Sequence, residues 1–145
     1  MAAFRFRLEK VLRVREIFEE RAKNEWALQE RLAREERLKL ARLQEQAEDV
    51  KAFGYQQSDI ETRQAMYSFL AVLERRIALQ TSRLAEQEQI TLEAKEAWLV
   101  ARQETEKVIT LRKKQYASFV KEEQRKEQKV LDDMRSHGMR MHLLG

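Results

Sequence analysis

The sequence predicts an all-α protein, a long two-helix antiparallel coiled-coil hairpin that makes a single domain of residues 1–145. Three observations predict it. Ala, Glu, Lys, Leu and Arg supply more than half of the chain, a bias of long helices rather than of mixed globular domains. Proline is absent and glycine occurs three times, at Gly54, Gly138 and Gly145, whereas sandwiches, barrels and doubly wound sheets need both as punctuation. Apolar residues recur at alternating steps of three and four, the spacing that lays a seam along one side of a helix. Charged residues make up 37% of the chain and aromatics 8%, too little apolar material for a thick core.

The first helix is expected over about residues 4–52. Its seam holds Leu8, Leu12, Ala22, Trp26, Leu40, Leu43, Ala47 and Val50, interrupted by Arg15, Glu19 and Gln29. Glu9 with Arg13, Glu19 with Lys23, Glu30 with Arg34, Glu35 with Lys39 and, later, Glu122 with Lys126 are spaced to support a helix at i, i+4. A turn follows over about 53–58, where Gly54 marks a stop. Ser58-Asp59-Ile60-Glu61 fits a capping box, with the Ser58 hydroxyl accepting from the Glu61 amide.

The second helix is expected over about 59–135, with a loose tail over 136–145. Met66, Leu70, Leu73, Ile77, Leu84, Ala94, Trp98, Ala101 and Val108 form its seam, softened by Gln80, Gln87, Thr91 and Thr105. At 1.5 Å per residue the helices measure roughly 75 and 115 Å, so they must pair lengthwise. A hairpin centred near residue 56 sets Leu8 opposite about Glu104 and leaves the segment beyond about Leu111 without a partner. Short-linked helices that cover one another favour a monomer.

Charge is unevenly placed. Arg5, Arg7, Lys10, Arg13 and Arg15 face only Glu9 in the first fifteen residues. Between Arg112 and Lys129, seven basic residues outnumber Glu122, Glu123 and Glu127. A hairpin carries both stretches toward its open end, and an electropositive end attracts acidic surface, phosphate or nucleic acid. Nucleic acid is disfavoured, because acids interleave with the second stretch.

No catalytic constellation is present, and no small-molecule substrate, cofactor or metal is expected. The chain has no cysteine, so thiolate sites and disulfides are excluded. His137 and His142 lie in the tail and read as solvated; Met134, Met139, Met141, Leu143 and Leu144 read as a frayed terminus rather than a docking patch. Trp26 and Trp98 read as seam residues. Phe53, Tyr55, Tyr67 and Phe69 cluster near the turn, where they either close the supercoil or anchor a partner. No apolar run reaches the ~20 residues of a membrane span, and no secretory signal is seen, so a cytoplasmic protein is expected.

The opening Phe4-Arg-Phe6-Arg-Leu8-Glu-Lys-Val11-Leu12-Arg-Val-Arg15 resembles the start of FliJ proteins of bacterial flagellar export. Glu127-Gln128-Lys129-Val-Leu131-Asp132-Asp133 is similar to that family's closing motif, and Tyr67-Ser-Phe69-Leu70-Ala-Val-Leu73-Glu-Arg-Arg-Ile77 to its pattern after the turn. The resemblance implies a coiled-coil hairpin like the stalk of the rotary ATP synthase gamma subunit. It implies no chemistry of its own and three kinds of partner: the flagellar export ATPase, the cytoplasmic domain of the export gate membrane protein, and substrate-specific export chaperones. It also implies peripheral association with the inner face of the cell membrane at the flagellar base. Gate contacts carry over to Phe69, Leu73 and Gln80; Arg76 stands where the family has a small residue. Charge adds the ATPase-binding candidates Arg5, Arg7, Arg13, Arg15, Arg112, Lys113 and Lys114. The rival readings are the YscO-like stalk of a virulence type III secretion system and a self-assembling coiled-coil scaffold, which Gly54 and the Ser58 box count against.

Overall fold

A computed structural model describes residues 2–144, and the side chains of residues 2–140 among them. Two helices account for nearly all of it: α1, Glu9–Tyr55, and α2, Ile60–Leu144. They pack against each other as a helical hairpin. The chain divides into two compact units, Met1–Phe18 with Arg102–Gly145 and, separately, Glu19–Ala101.

Burial along α2 follows the three-four series. Met66, Leu70 and Leu73 are buried, and Ile77, Leu84, Ala94, Trp98, Ala101 and Val108 are half-buried. The softening residues Gln80, Thr91 and Thr105 are among the most buried of all. They are seam members rather than breaks in it.

In the Glu19–Ala101 unit, Ala47, Met66, Leu70 and Leu73 form the core, with Leu43, Val50 and Ile77 packed against it. Burying a side chain such as Leu73 contributes about 1.5–3 kcal/mol. Further along, polar side chains bridge the helices. Gln80 Nε2 donates to the Glu36 carbonyl at 3.1 Å and also to the Glu36 carboxylate. Gln87 Nε2 donates to Gln29 Oε1 at 2.7 Å, and the Thr91 hydroxyl to the Gln29 carbonyl at 3.1 Å. The Gln80, Gln87 and Thr91 side chains thus each meet an acceptor, the condition for a polar side chain to sit in a seam. Trp26 and Trp98 stack with centroids 5.0 Å apart and an angle of 20° between planes, and Lys95 Nζ lies 5.8 Å from the Trp26 ring centre.

The turn differs from expectation in two ways. Gly54 does not stop α1, which continues to Tyr55, and no glycine has positive φ among the described residues. What requires glycine is Met66: a Cβ on Gly54 would lie 1.8 Å from its Sδ and 3.0 Å from its Cβ. The cap of α2 is Asp59, not Ser58. Its Oδ1 accepts from the Glu61 amide at 3.4 Å, and its Oδ2 from the Thr62 amide at 3.3 Å and the Thr62 hydroxyl at 2.8 Å. The Asp59 carbonyl takes the first helical bond, from the Arg63 amide at 3.1 Å. A carboxylate at the positive end of the helix dipole outcompetes a hydroxyl one residue earlier.

The first helix starts later than expected, at Glu9, and the second runs through the stretch read as a tail, to Leu144. Gly138 interrupts nothing because a single helical glycine costs only about 1 kcal/mol. The side chains of Met141, His142, Leu143 and Leu144 lie outside the described residues.

In the other unit, residues 2–8 form a non-helical arm. Phe4-x-Phe6 has period two, which puts both rings on one side of an extended chain. Phe6 is buried. Phe4 meets Tyr116 edge-on at 5.3 Å and Phe119 at 5.5 Å. The segment after Leu111 thus has partners at Arg112, Tyr116 and Phe119, although most of its side chains stay exposed.

Candidate partner-binding surfaces

The same alternation that turns Phe4 and Phe6 inward leaves Arg5 and Arg7 exposed. Arg13 is exposed one turn into α1, while Arg15, on the seam, is half-buried. From α2, Arg112, Lys113 and Lys114 are exposed in the same unit. Arg112 Nε is held by Glu9 Oε2 at 3.2 Å. Glu9 therefore pairs across the helices rather than with Arg13 along its own. Glu36 likewise takes Lys39, and Glu122 takes Arg125, each at i, i+3 rather than in the expected i, i+4 partnership. Between the two helices a groove of about 520 Å³ is lined by Phe4, Leu12, Glu16, Ile109, Arg112 and Tyr116. Its apolar floor and basic rim suit an apolar side chain flanked by carboxylates.

The gate-contact candidates lie in the Glu19–Ala101 unit and divide by burial. Leu73 is wholly inaccessible. Gln80 is 5% exposed and spends its amide on Glu36. Its hydrogen bond, with that of Lys39, holds the Glu36 carboxyl below the usual carboxylate range. Phe69 is exposed, and it borders an apolar groove of about 380 Å³ with Val50, Phe53, Thr62, Ala65 and Met66. Phe53, Tyr55 and Tyr67 are each more than half exposed nearby in the sequence. Of the three candidates, Phe69 has the exposure that direct contact needs.

Among the described residues, no group of three or more His, Asp or Glu side chains could hold a metal ion, and no helix is long and apolar enough to cross a membrane. A family model described as "Flagellar FliJ protein" matches residues 4–142. The chain belongs to the FliJ family. No curated protein and no solved structure matches it. Membership in the FliJ family makes the protein a component of the flagellar export apparatus, a structural part with its partners inside that apparatus.

Two features of this FliJ-family chain escape a reading by helical period. The arm aromatics Phe4 and Phe6 look like the first turn of a helix until their period of two is noticed. The groove at Phe69 combines residues from both helices, Val50 and Phe53 with Thr62, Ala65 and Met66, and depends on a register that the seam pattern alone leaves open.

Proposed function

We propose that this FliJ-family protein is a non-enzymatic stalk that couples the export ATPase ring to the export gate and escorts substrate chaperones, working at the inner face of the cell membrane. One observation carries the reading. The unit holding the N-terminal arm presents Arg5, Arg7, Arg13, Arg112, Lys113 and Lys114 at its surface, and Arg112 and Lys113 line a groove with an apolar floor. A ring with acidic or polar lining would be met by many weak contacts. Exposed ion pairs contribute about 0–1 kcal/mol each and are screened by salt, so the effect is collective. Gate contact is assigned to Phe69 and its groove, with Leu73 and Gln80 shaping that surface from beneath.

Purified protein is expected to stimulate hydrolysis by the export ATPase, and to do so less as salt rises. Single reversals among Arg5, Arg7, Arg13 and Arg15 should be mild. The quadruple change to Glu should abolish stimulation, chiefly through slower association. Circular dichroism must show helix retained, with a separate Arg15→Glu control because that residue borders the seam. Full stimulation by the folded quadruple variant would refute the assignment.

A further inference from the structure

The first ten residues of α1 carry a second surface, on the side away from the seam. At 100° per residue, Arg13, Ile17, Lys10, Val14, Phe18 and Val11 fall in that order on an arc of about 160°. All six are exposed. The four apolar ones are large and are left 41–51% accessible: Val11 41%, Val14 46%, Ile17 51% and Phe18 50%. The two acids of the same stretch lie elsewhere. Glu9 is bound to Arg112, and Glu16 lines the groove with Leu12 and Ile109. The outward arc is thus apolar with its two cations toward one edge, and Glu9 and Glu16 lie on the side that faces α2.

We infer that this arc lies flat on an anionic phospholipid surface, with Val14, Ile17 and Phe18 entering the boundary between headgroups and acyl chains and Lys10 and Arg13 meeting lipid phosphates. Several facts select this occupant. Cations beside apolar side chains suit a plane of phosphates above hydrocarbon, because long basic side chains reach back to the headgroups while their stems stay in apolar surroundings. A second copy of the chain would set Lys10 and Arg13 against their like. No described helix can span a bilayer, so the contact is interfacial. Arg5 and Arg7, exposed on the adjoining arm, add to the attraction, since each cation near an anionic leaflet contributes about 1 kcal/mol. The inference rests on the membrane location proposed above and names the surface that meets it; Arg5, Arg7 and Arg13 are shared with the ATPase assignment, whereas Val14, Ile17 and Phe18 are not.

The test is flotation of the full chain with vesicles of phosphatidylglycerol mixed into phosphatidylcholine, against vesicles of phosphatidylcholine alone. Binding is expected to the anionic vesicles and not to the neutral ones. The double variant Ile17→Gln, Phe18→Gln should bind at least about tenfold more weakly, keep its helix content, and stimulate ATP hydrolysis as the unchanged protein does. Equal binding by the double variant would mean simple charge adhesion and would overturn the proposal. So would equal binding to both vesicle types, or no binding to either. If the double variant keeps its vesicle binding but loses ATPase stimulation, the arc is a protein-docking face and the lipid assignment is wrong. Failure of the coupling reading would instead show in the Arg→Glu variant with vesicle binding by the unchanged chain intact.

Discussion

Gly54 lies beneath Met66 so closely that even a methyl group has no room. Alanine there gains about 1 kcal/mol of helix propensity but must displace the Met66 side chain from its seat in the core, and overpacking a tight contact costs about 1–3 kcal/mol. Gly54→Ala is therefore expected to lower the denaturation midpoint, and combining it with Met66→Ala should show strong non-additivity. Gly138→Ala makes the contrast: nothing lies within 4 Å of the added carbon, so helix content should rise slightly. Leu73 and Phe69 form another pair. Leu73→Ala empties a fully buried site and should cost about 2–5 kcal/mol. Phe69→Ala should leave the melting temperature nearly unchanged and weaken gate binding. If a well-folded Phe69→Ala protein binds the gate protein normally, the groove beside it is not the gate surface.

At the level of the elements, the start of α2 answers to pH. The Thr62 hydroxyl, and then the Thr62 and Glu61 amides, hold the Asp59 carboxyl below its ordinary value. A depressed folded value means that the cap's contribution is fully present above the unfolded pKa and is lost as pH falls through the folded one. Stability should therefore decline below the ordinary carboxylate range, and Asp59→Asn, which keeps an acceptor without the charge, should flatten that part of the profile. An unaltered acid limb in the variant would assign the effect to other carboxyls. The helices themselves were legible in the sequence because a period near 3.5 is a property of side-chain type and survives without coordinates. Their ends were not. Ser58 and Asp59 are both good caps, and only the position of the first helical bond chooses between them. Gly54 reads as a stop because glycine usually is one; that it serves a close approach depends on Met66, twelve residues away. Gln80, Gln87 and Thr91 looked like flaws in the seam because their acceptors, the Glu36 and Gln29 carbonyls among them, belong to the opposite helix.

In the molecule as a whole, protection should be uneven. Helices in water draw most of their stability from packing rather than from propensity. The core around Leu70 and Leu73 has both apolar burial and bridging hydrogen bonds. From residue 124 to residue 140 every described side chain is exposed. Hydrogen exchange should find the slowest amides between Leu70 and Ile77 and the fastest helical ones after Gln124. Uniform exchange along α2 would contradict this. Surface candidates are partly legible: the seam pattern sets Arg15 and Leu73 inside and leaves Arg13 and Phe69 off it, but only the fold brings Val50 and Phe53 beside Phe69, or Phe4 beside Tyr116.

The arm has a consequence for synthesis of the chain. Phe4 is held by Tyr116 and Phe119, which the ribosome adds roughly 115 residues later, at about 5–20 residues per second. For roughly 6–23 s the Phe4-Arg-Phe6-Arg segment exists without the rings on which it docks. Closure of the arm on Tyr116 and Phe119 therefore has to follow the Glu9–Arg112 pairing in the order in which the partners are made.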